Sequence, residues 1–290
     1  IEIMKLPFYF SIDLEDSVYD FGRAIGNPDP EIREKALFRS YERASYLADK
    51  YLNSRKITFF TTGVLARNCP ELIKKIHQDG HEIACHYNFH DRINLSNRKD
   101  FARNLDEAIE SIEHVIGEKP IGFRAPDFSI EPENIWAYEE LAKRFLYDSS
   151  FRTSEPMKLK NRQFQFNGDK LYEFFIYENP VLLNSFKMKS GGTFFRLFSA
   201  SYTLDTMKKS YELGHIPLIY MHPYELTLNK DFWISWHDFR HLSFFKRIYK
   251  WSRQTQWSHL GHYGVERKLE IICNSFEHKG PMKLLTEERR

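Results

Sequence analysis

Apolar runs and amphipathic stripes alternate along the chain, and this pattern predicts alternating strands and helices. Between the apolar runs, segments such as the one with Leu37, Tyr41 and Ala44 carry apolar residues at helical spacing. This alternation implies a parallel sheet or a (β/α) barrel, in which the chemistry lies at the carboxyl ends of the strands. The clearest buried strands are predicted at 7–13, 56–63, 81–86, 121–126 and 217–226.

The second half of the chain is less regular and ends in an aromatic tail. A strand is predicted at 171–178, and the tail after 227 is predicted to be helical. We expect one overall domain, with a barrel over 1–227 and a helical extension over 228–290 packed on it. Core packing is the favoured role of the tail, and peripheral contact with a membrane or a partner is the alternative.

Composition excludes several classes of protein. The 290 residues carry 42 Lys and Arg against 40 Asp and Glu, and a net charge of +2 argues against a nucleic-acid binder. The three cysteines have no CxxC spacing, so neither a disulfide framework nor a Cys-based zinc site is expected. The sequence shows no apolar run of transmembrane length and no export signal, so a cytoplasmic location is expected.

Acidic and histidine clusters follow two of the predicted strands. Asp13, Glu15 and Asp16 stand together at the end of the first strand, where crowded carboxylates must be protonated, paired or metal-bound. His86 and His90 directly follow the 81–86 strand. Their spacing alone is uninformative, because the chain has three such i,i+4 His pairs. Their place at a strand end distinguishes them from the other two pairs.

Three further polar residues follow predicted strands. Arg124 can hold a catalytic carboxylate in place, and His222 is a candidate general acid. Taken singly, Arg124 also fits a surface residue, His222 a core histidine and Asp148 a helix cap. Because all the clusters converge on the strand ends of one α/β fold, they together predict a single active site.

In chain order, the motifs SIDLED, HYNFH, RAP, YDSS and MHPYE resemble those of the polysaccharide deacetylase family. These are the NodB-homology enzymes of the carbohydrate esterase family 4 type. The similarity is greatest to the subgroup with DxED and HPxE motifs that is found in surface-polysaccharide biosynthesis, and it covers about 7–227. The resemblance implies an α/β fold with a distorted (β/α)7-like barrel.

The resemblance also implies a divalent metal ion, with zinc favoured. Asp13 would be the general base that activates a water molecule. His86 and His90 would be metal ligands, and the third ligand would be an acid that follows Asp13. Alternate residues of a strand point the same way, so Glu15 is favoured over Asp16 as this ligand.

Further roles follow from the same resemblance. Arg124 would pin and tune Asp13, and Asp148 would hold Arg124. His222 would protonate the leaving amine. Both the base and the acid are needed for amide hydrolysis, and they must hold opposite protonation states.

Three positions depart from the usual family pattern. Tyr87 stands where the family has a small residue, Asp127 follows RAP where an aromatic residue or Ser is common, and Tyr220 replaces a Leu. We expect these residues to shape substrate binding. The rings of Phe128 and Tyr224 lie beside the same motifs and can stack on sugar faces.

The sequence therefore predicts a metal-dependent hydrolase that removes an N-acetyl group from a sugar. The expected substrate is a bacterial surface polysaccharide, such as a lipopolysaccharide O-antigen or an exopolysaccharide, or its precursor. One alternative is hydrolysis of another C–N bond, as in a cyclic imide or ureide. A second alternative is a carbohydrate-binding protein that keeps the deacetylase fold without catalysis.

Overall fold

The computed structural model describes residues 5–157, 163–166, 168–181, 186–227 and 230–287. Strands and helices alternate over most of this range, as the sequence predicts. The strands are β1 (Leu6–Leu14), β2 (Thr58–Thr61), β3 (Glu82–Cys85), β4 (Gly122–Phe123), β5 (Tyr147–Asp148), β6 (Arg152–Thr153), β7 (Gln163–Phe166), β8 (Asp169–Glu173), β9 (Ile176–Tyr177), β10 (Asn179–Val181), β11 (Phe186–Met188), β12 (Leu218–Met221) and β13 (Phe276–His278).

The helices begin and end at residues that favour helix boundaries. Asn97 caps α5 by accepting a hydrogen bond from the backbone N–H of Asp100 at 3.0 Å, and Gly117 ends α5 in the left-handed conformation. The helices are α1 (Ser17–Ala24), α2 (Glu34–Tyr51), α3 (Gly63–Asn68), α4 (Pro70–Gln78), α5 (Arg98–Ile116), α6 (Ile135–Ala142), α7 (Gly192–Leu197), α8 (Ala200–Glu212), α9 (Pro223–Leu226), α10 (Phe244–His259), α11 (Val265–Ser275) and α12 (Leu284–Glu287).

The main sheet has the hydrogen-bonded order β12-β1-β2-β3-β4-β5-β8-β7. Neighbouring strands from β12 to β8 are parallel, and β7 is antiparallel to β8. The predicted α/β fold with a parallel sheet is confirmed. Within the residues that the structure covers, the two edge strands β12 and β7 are not paired with each other.

The parallel register brings the strand ends to one edge. Asp13 pairs with Phe60, Thr61 with Cys85, Cys85 with Phe123, and Phe123 with Asp148. Each sequence motif therefore emerges at the same edge of the sheet.

Alternation along β1 separates two apolar layers. Phe8, Phe10 and Ile12 belong to the large core cluster that includes apolar residues of the helices, whereas Tyr9 belongs to a smaller cluster on the other face. This smaller inner cluster also contains Phe60, Tyr147, Tyr220 and Met282. Asp13 has the parity of Tyr9, so its carboxylate lies on the inner side.

The described part of the tail, 230–287, is not purely helical, which corrects the prediction for 228–290. Strand β13 pairs with the first half of β1, with Phe8 opposite His278. The fully buried Met282 joins the inner cluster, and its backbone N–H donates to Thr58 Oγ1 at 2.7 Å. The tail thus packs against the starting ends of the strands, opposite the edge that carries the motifs.

Candidate active site

A buried ion pair stands at the end of β1. Arg124 Nη1 donates to Asp13 Oδ1 at 2.6 Å and to Ser11 Oγ at 2.8 Å, and the Asp13 and Arg124 side chains are both buried. The guanidinium also lies 4.0 Å from the ring centroid of Phe60. The permanent cation of Arg124 thus lies against Asp13, whose carboxylate borders the cleft and is placed to accept a proton.

Ser149 holds Arg124, and the prediction that Asp148 does so is wrong in this structure. Arg124 Nη2 donates to Ser149 Oγ at 3.0 Å, and Nε donates to the Ser149 carbonyl at 3.2 Å. The register pairs Phe123 with Asp148, so Arg124 lies beside Ser149 on the inner face. Asp148 points to the other face, where Oδ1 accepts from the Ser150 hydroxyl at 2.6 Å.

Glu15, His86 and His90 form one cluster of possible metal ligands. One donor atom from each residue lies within 4.8 Å of the other two. His90 Nε2 is 2.5 Å and His86 Nε2 is 3.7 Å from Glu15 Oε2. Glu15 Oε2 is buried, yet neither contact has hydrogen-bond geometry. Such an orphaned oxygen beside two ring nitrogens fits a shared cation.

The ligand orientation of His86 is set by its other nitrogen. His86 Nδ1 lies 2.8 Å from the carbonyl oxygen of Arg124, and a carbonyl only accepts. Nδ1 therefore carries the hydrogen, and Nε2 presents its lone pair towards Glu15. A hydrogen bond of this kind fixes the tautomer of metal-binding histidines.

The charges of the cluster are strongly coupled. Burial disfavours the Glu15 carboxylate, but the neighbouring charges of His90 and His222 prevail and hold its pKa well below the usual value. Burial also disfavours protonated His90, yet Glu15 raises the His90 pKa to about 10. A divalent cation would take the place of the His90 proton beside the Glu15 carboxylate. Two imidazoles and one carboxylate suit Zn²⁺.

Asp16, the second candidate for the third ligand, lies outside this cluster. Its Oδ1 accepts hydrogen bonds from the backbone N–H of Val18 at 2.9 Å and of Tyr19 at 3.1 Å. Its Oδ2 accepts from the N–H of Arg33 at 2.5 Å. These hydrogen bonds make Asp16 the N-cap of helix α1. Glu15, as the preceding residue, points the other way, towards the histidines.

His222 faces the same centre from the end of β12. Its Nε2 is 3.9 Å from Asp13 Oδ2, and its Nδ1 is 2.9 Å from Glu225 Oε2. Burial disfavours the charged ring, but the Glu225 and Glu15 carboxylates raise the His222 pKa to about 9. The raised pKa favours the protonated ring, which suits His222 to donate a proton.

Sequence reasoning missed the two residues behind His222. Glu225 Oε2 accepts from the His222 backbone N–H at 3.0 Å, which forms a capping box at the start of α9. Buried Arg196 lies with Nε 3.6 Å from Glu225 Oε1. The x-P-x-E spacing of 222–225 is itself the sequence signal for Glu225. Arg196, on α7, is distant in sequence and left no comparable signal.

A cleft of about 1460 Å³ opens over these groups. Tyr224 stacks on His222 at 5.3 Å between ring centroids, and Phe128 meets Tyr220 edge-on at 4.9 Å. All three rings line the cleft wall and are largely buried. Asp127, in contrast, is exposed at the cleft. These four residues all border the cleft.

Tyr87 lies mainly in the core. Its ring packs at 5.4 Å from Phe101, and the residue is buried although it borders the cleft. Its φ is +68°, a left-handed conformation that is strained for a bulky residue. Tyr87 therefore shapes the loop between His86 and His90 and offers little ring surface to a ligand.

Two charged residues that border the cleft belong to none of the sequence motifs and were not predicted. Asp20 on α1 borders the cleft near His90, and burial raises its pKa to about 8. Lys189 reaches the cleft beside Asp127, with Nζ 3.6 Å from Glu178 Oε1. Neither residue directly follows a predicted strand, so the strand-end criterion could not find them.

Comparison with known proteins gives a family match over part of the chain. Residues 48–146 match the model of the polysaccharide deacetylase family, a range that contains the HYNFH and RAP motifs. A peptidoglycan deacetylase-like protein of Gibberella zeae is 33% identical over 104 residues, which is 36% of this chain and 30% of that protein. The uncharacterized protein YlxY of Bacillus subtilis is 44% identical over 75 residues, or 26% of this chain and 23% of that protein.

The chain thus matches less than a third of the length of either curated relative. Among solved structures, a candidate polysaccharide deacetylase from Mycobacterium smegmatis superposes with a TM-score of 0.61 at 15% identity. That superposition covers 99% of this chain and 91% of the other, and it supports the shared fold. Residues 48–146 are thus similar to the polysaccharide deacetylase family, and the fold is similar to that of the Mycobacterium smegmatis structure.

Proposed function

We propose that the protein is a metal-dependent hydrolase that removes the acetyl group from an N-acetylated sugar. The observation that carries this proposal is the placement of three units at one sheet edge. They are the Asp13–Arg124 pair, the Glu15–His86–His90 cluster and His222. Amide hydrolysis needs a base, an acid and an electrophile at one point, and these units supply the residues for each.

The residues divide the work as follows. A divalent ion such as Zn²⁺, held by Glu15, His86 and His90, would supply Lewis acidity to the acetyl carbonyl and to the attacking water. Asp13 accepts the proton of that water, and the hydrogen bond from the adjacent Arg124 orients its carboxylate. His222 gives its Nε2 proton to the amine nitrogen as the C–N bond breaks. The products are acetate and a free amino sugar.

The proposed base and the proposed acid have contrasting surroundings. Asp13 has a cation at 2.6 Å, whereas His222 has carboxylates on two sides. Glu225 also fixes the His222 ring, since it accepts from Nδ1 and leaves Nε2 pointing into the cleft. The neighbouring carboxylates favour the protonated form of His222, as a general acid requires.

We further propose that the sugar belongs to a bacterial surface polysaccharide or its precursor, as the DxED and HPxE motifs indicate. The aromatic walls support a neutral sugar ring, because Phe128, Tyr220 and Tyr224 can stack on its apolar faces. The expected cytoplasmic location remains a prediction.

Acetate release tests the proposed activity. The zinc-loaded protein is incubated with N-acetylglucosamine oligomers and nucleotide-linked or lipid-linked N-acetyl sugars, with and without chelator. We expect release that chelator abolishes, zinc restores and Asp13→Asn lowers by at least a thousandfold. The matched control is Asp231→Asn, a carboxylate paired with Arg39 outside the cleft. It should keep full activity.

Two outcomes would contradict this assignment. No release from any N-acetyl sugar by zinc-loaded protein would refute deacetylation. Hydrolysis of a cyclic ureide that persists in chelator would favour the alternative C–N hydrolase and would leave the histidine cluster without a metal role.

A further inference from the structure

The helix α10 stands out by its exposed apolar surface. Phe244 is 64% exposed, Phe245 83%, Ile248 43% and Tyr249 58%. Large apolar side chains scattered singly are normal on protein surfaces, but four within six consecutive residues of one helix form one patch. The predicted packing of the tail in the core therefore does not apply to this helix.

The apolar residues of α10 share one side. At 100° per residue, positions 244, 245, 248 and 249 span an arc of about 140°. Lys246, Lys250 and Arg253 group on the opposite arc. The helix is thus amphipathic, with its apolar side unpacked within the part of the chain that the structure describes.

Charge around α10 is strongly one-sided. The stretch 239–265 contains five Lys and Arg residues and no Asp or Glu. The whole chain has a net charge of +2, so the rest of the chain is net −3. A basic helix with exposed aromatic residues has the composition of helices that lie in the interface of anionic membranes.

The same helix forms one wall of the cleft. Tyr249, Lys250 and Arg253 border it, together with the exposed Leu197 and Phe198 of α7 and its end. A surface held against α10 would therefore lie beside the cleft mouth. Within the described residues, no helix is long and apolar enough to span a bilayer, so any membrane contact made by these elements is peripheral.

We propose that α10 docks this protein on an anionic lipid bilayer, with the Phe244, Phe245 and Ile248 side chains inserted among the lipids. The long side chains of Lys246, Lys250 and Arg253, on the opposite arc, reach the lipid phosphates at the level of the head groups. Docking places the cleft next to the bilayer surface. Given the proposed deacetylase function, on which this one consequence rests, the substrate class is an N-acetylated sugar carried on a membrane lipid.

Vesicle co-sedimentation tests the docking without any activity measurement. Purified protein is mixed with vesicles of phosphatidylcholine alone or with 30 mol% phosphatidylglycerol, at 0.1 M and 0.5 M NaCl. We expect binding to the anionic vesicles, with weaker binding at high salt because charges are screened. The Phe244→Ser, Phe245→Ser, Ile248→Ser triple variant should bind at least tenfold more weakly. Lys246→Gln should bind about fivefold more weakly.

The matched control is Phe186→Ser, which removes an equally exposed Phe of strand β11. It should bind like wild type, and circular dichroism should show that all variants are folded. The proposal is overturned if wild type ignores anionic vesicles, or if the triple variant binds them as wild type does. It is also overturned if the patch instead mediates self-association, seen as a dimer in analytical ultracentrifugation that the triple variant loses. Because no substrate is involved, absence of deacetylase activity would leave this result unaffected.

Discussion

Two buried neutral histidines at the starting ends of the strands predict a loss of stability below pH 7. His278 Nδ1 accepts from the N–H of Phe10 at 3.2 Å, and Nε2 donates to the carbonyl of Lys56 at 3.0 Å. His81 Nδ1 accepts from the N–H of Ile57 at 3.1 Å. Protonation would break both bonds to Nδ1. Burial lowers the pKa of each ring to about 4.

The direction in which pH changes the stability follows from how the folded and the unfolded chain bind protons at these two histidines. An unfolded histidine has a pKa of about 6.5, so below this pH the unfolded chain binds protons that the folded chain excludes. The free energy of unfolding therefore falls as the pH drops from about 6.5 towards about 4, and it stays constant for these groups below that. Each ring lowers the free energy of unfolding by roughly 3 kcal/mol over this full pH range and by about 2 kcal/mol at pH 5.

Urea unfolding at pH 7 and pH 5 measures this contribution for wild type, His81→Asn and His278→Asn. Asn keeps an acceptor oxygen near the Nδ1 position but does not titrate. Each variant should be less stable at pH 7 and should lose about 2 kcal/mol less than wild type between the two pH values. His77→Asn, on the partly exposed side of α4, is the control and should lose as much as wild type. Equal losses in wild type and both buried-site variants would refute the reasoning.

Three further outcomes follow from the site. Ser149→Ala should lower kcat/KM for acetate release about tenfold, since Arg124 loses a hydrogen bond, whereas Asp148→Asn should lower it less. A larger loss in Asp148→Asn would favour Asp148 as the residue that holds Arg124. Glu225→Gln removes a carboxylate that raises the His222 pKa, so the alkaline limb of the kcat–pH profile should move to lower pH. An unmoved limb would contradict the role of His222 as the general acid. Zinc added after chelation should raise the melting temperature, measured by calorimetry, because it binds the folded state; an unchanged value would count against a metal site.

The family resemblance, together with local geometry, was sufficient to indicate the candidate metal cluster. His86 and His90 follow a strand that apolar residues define clearly. The choice of Glu15 over Asp16 needed only the period of a strand, and the structure agrees with it. Parallel strands then bring the motifs to one edge whatever the details of the helices.

The partner of Arg124 could not be predicted in the same way. Strands β4 and β5 are two residues long, so neither shows a periodic pattern that fixes which side chain faces inward. The register that sets Asp148 opposite Phe123 is fixed by the tertiary structure and not by the local sequence. The family motifs indicated the acidic residue Asp148, but it is the side chain of the adjacent Ser149 that faces the inner side of the sheet, where Arg124 lies.

The tail was misjudged for a related reason. Strand β13 has only three residues, and its pairing partner β1 is more than 250 residues away in sequence. No local signal marks such a strand. The exposure of α10 was equally hidden, because an amphipathic stripe predicts the same helix whether its apolar side meets the core or remains free.

The position of the tail bears directly on the Asp13–Arg124 ion pair of the candidate active site. Met282 Sδ lies 3.8 Å from Arg124 Nη2, and Met282 belongs to the same inner cluster as Phe60. These apolar groups exclude water from the guanidinium on the side away from the cleft. Charges interact more strongly where water is excluded, so the tail keeps the Asp13–Arg124 pair tightly coupled. The segment after 227 is therefore part of what tunes the candidate active site, although it supplies none of the residues that would bind the metal or transfer protons.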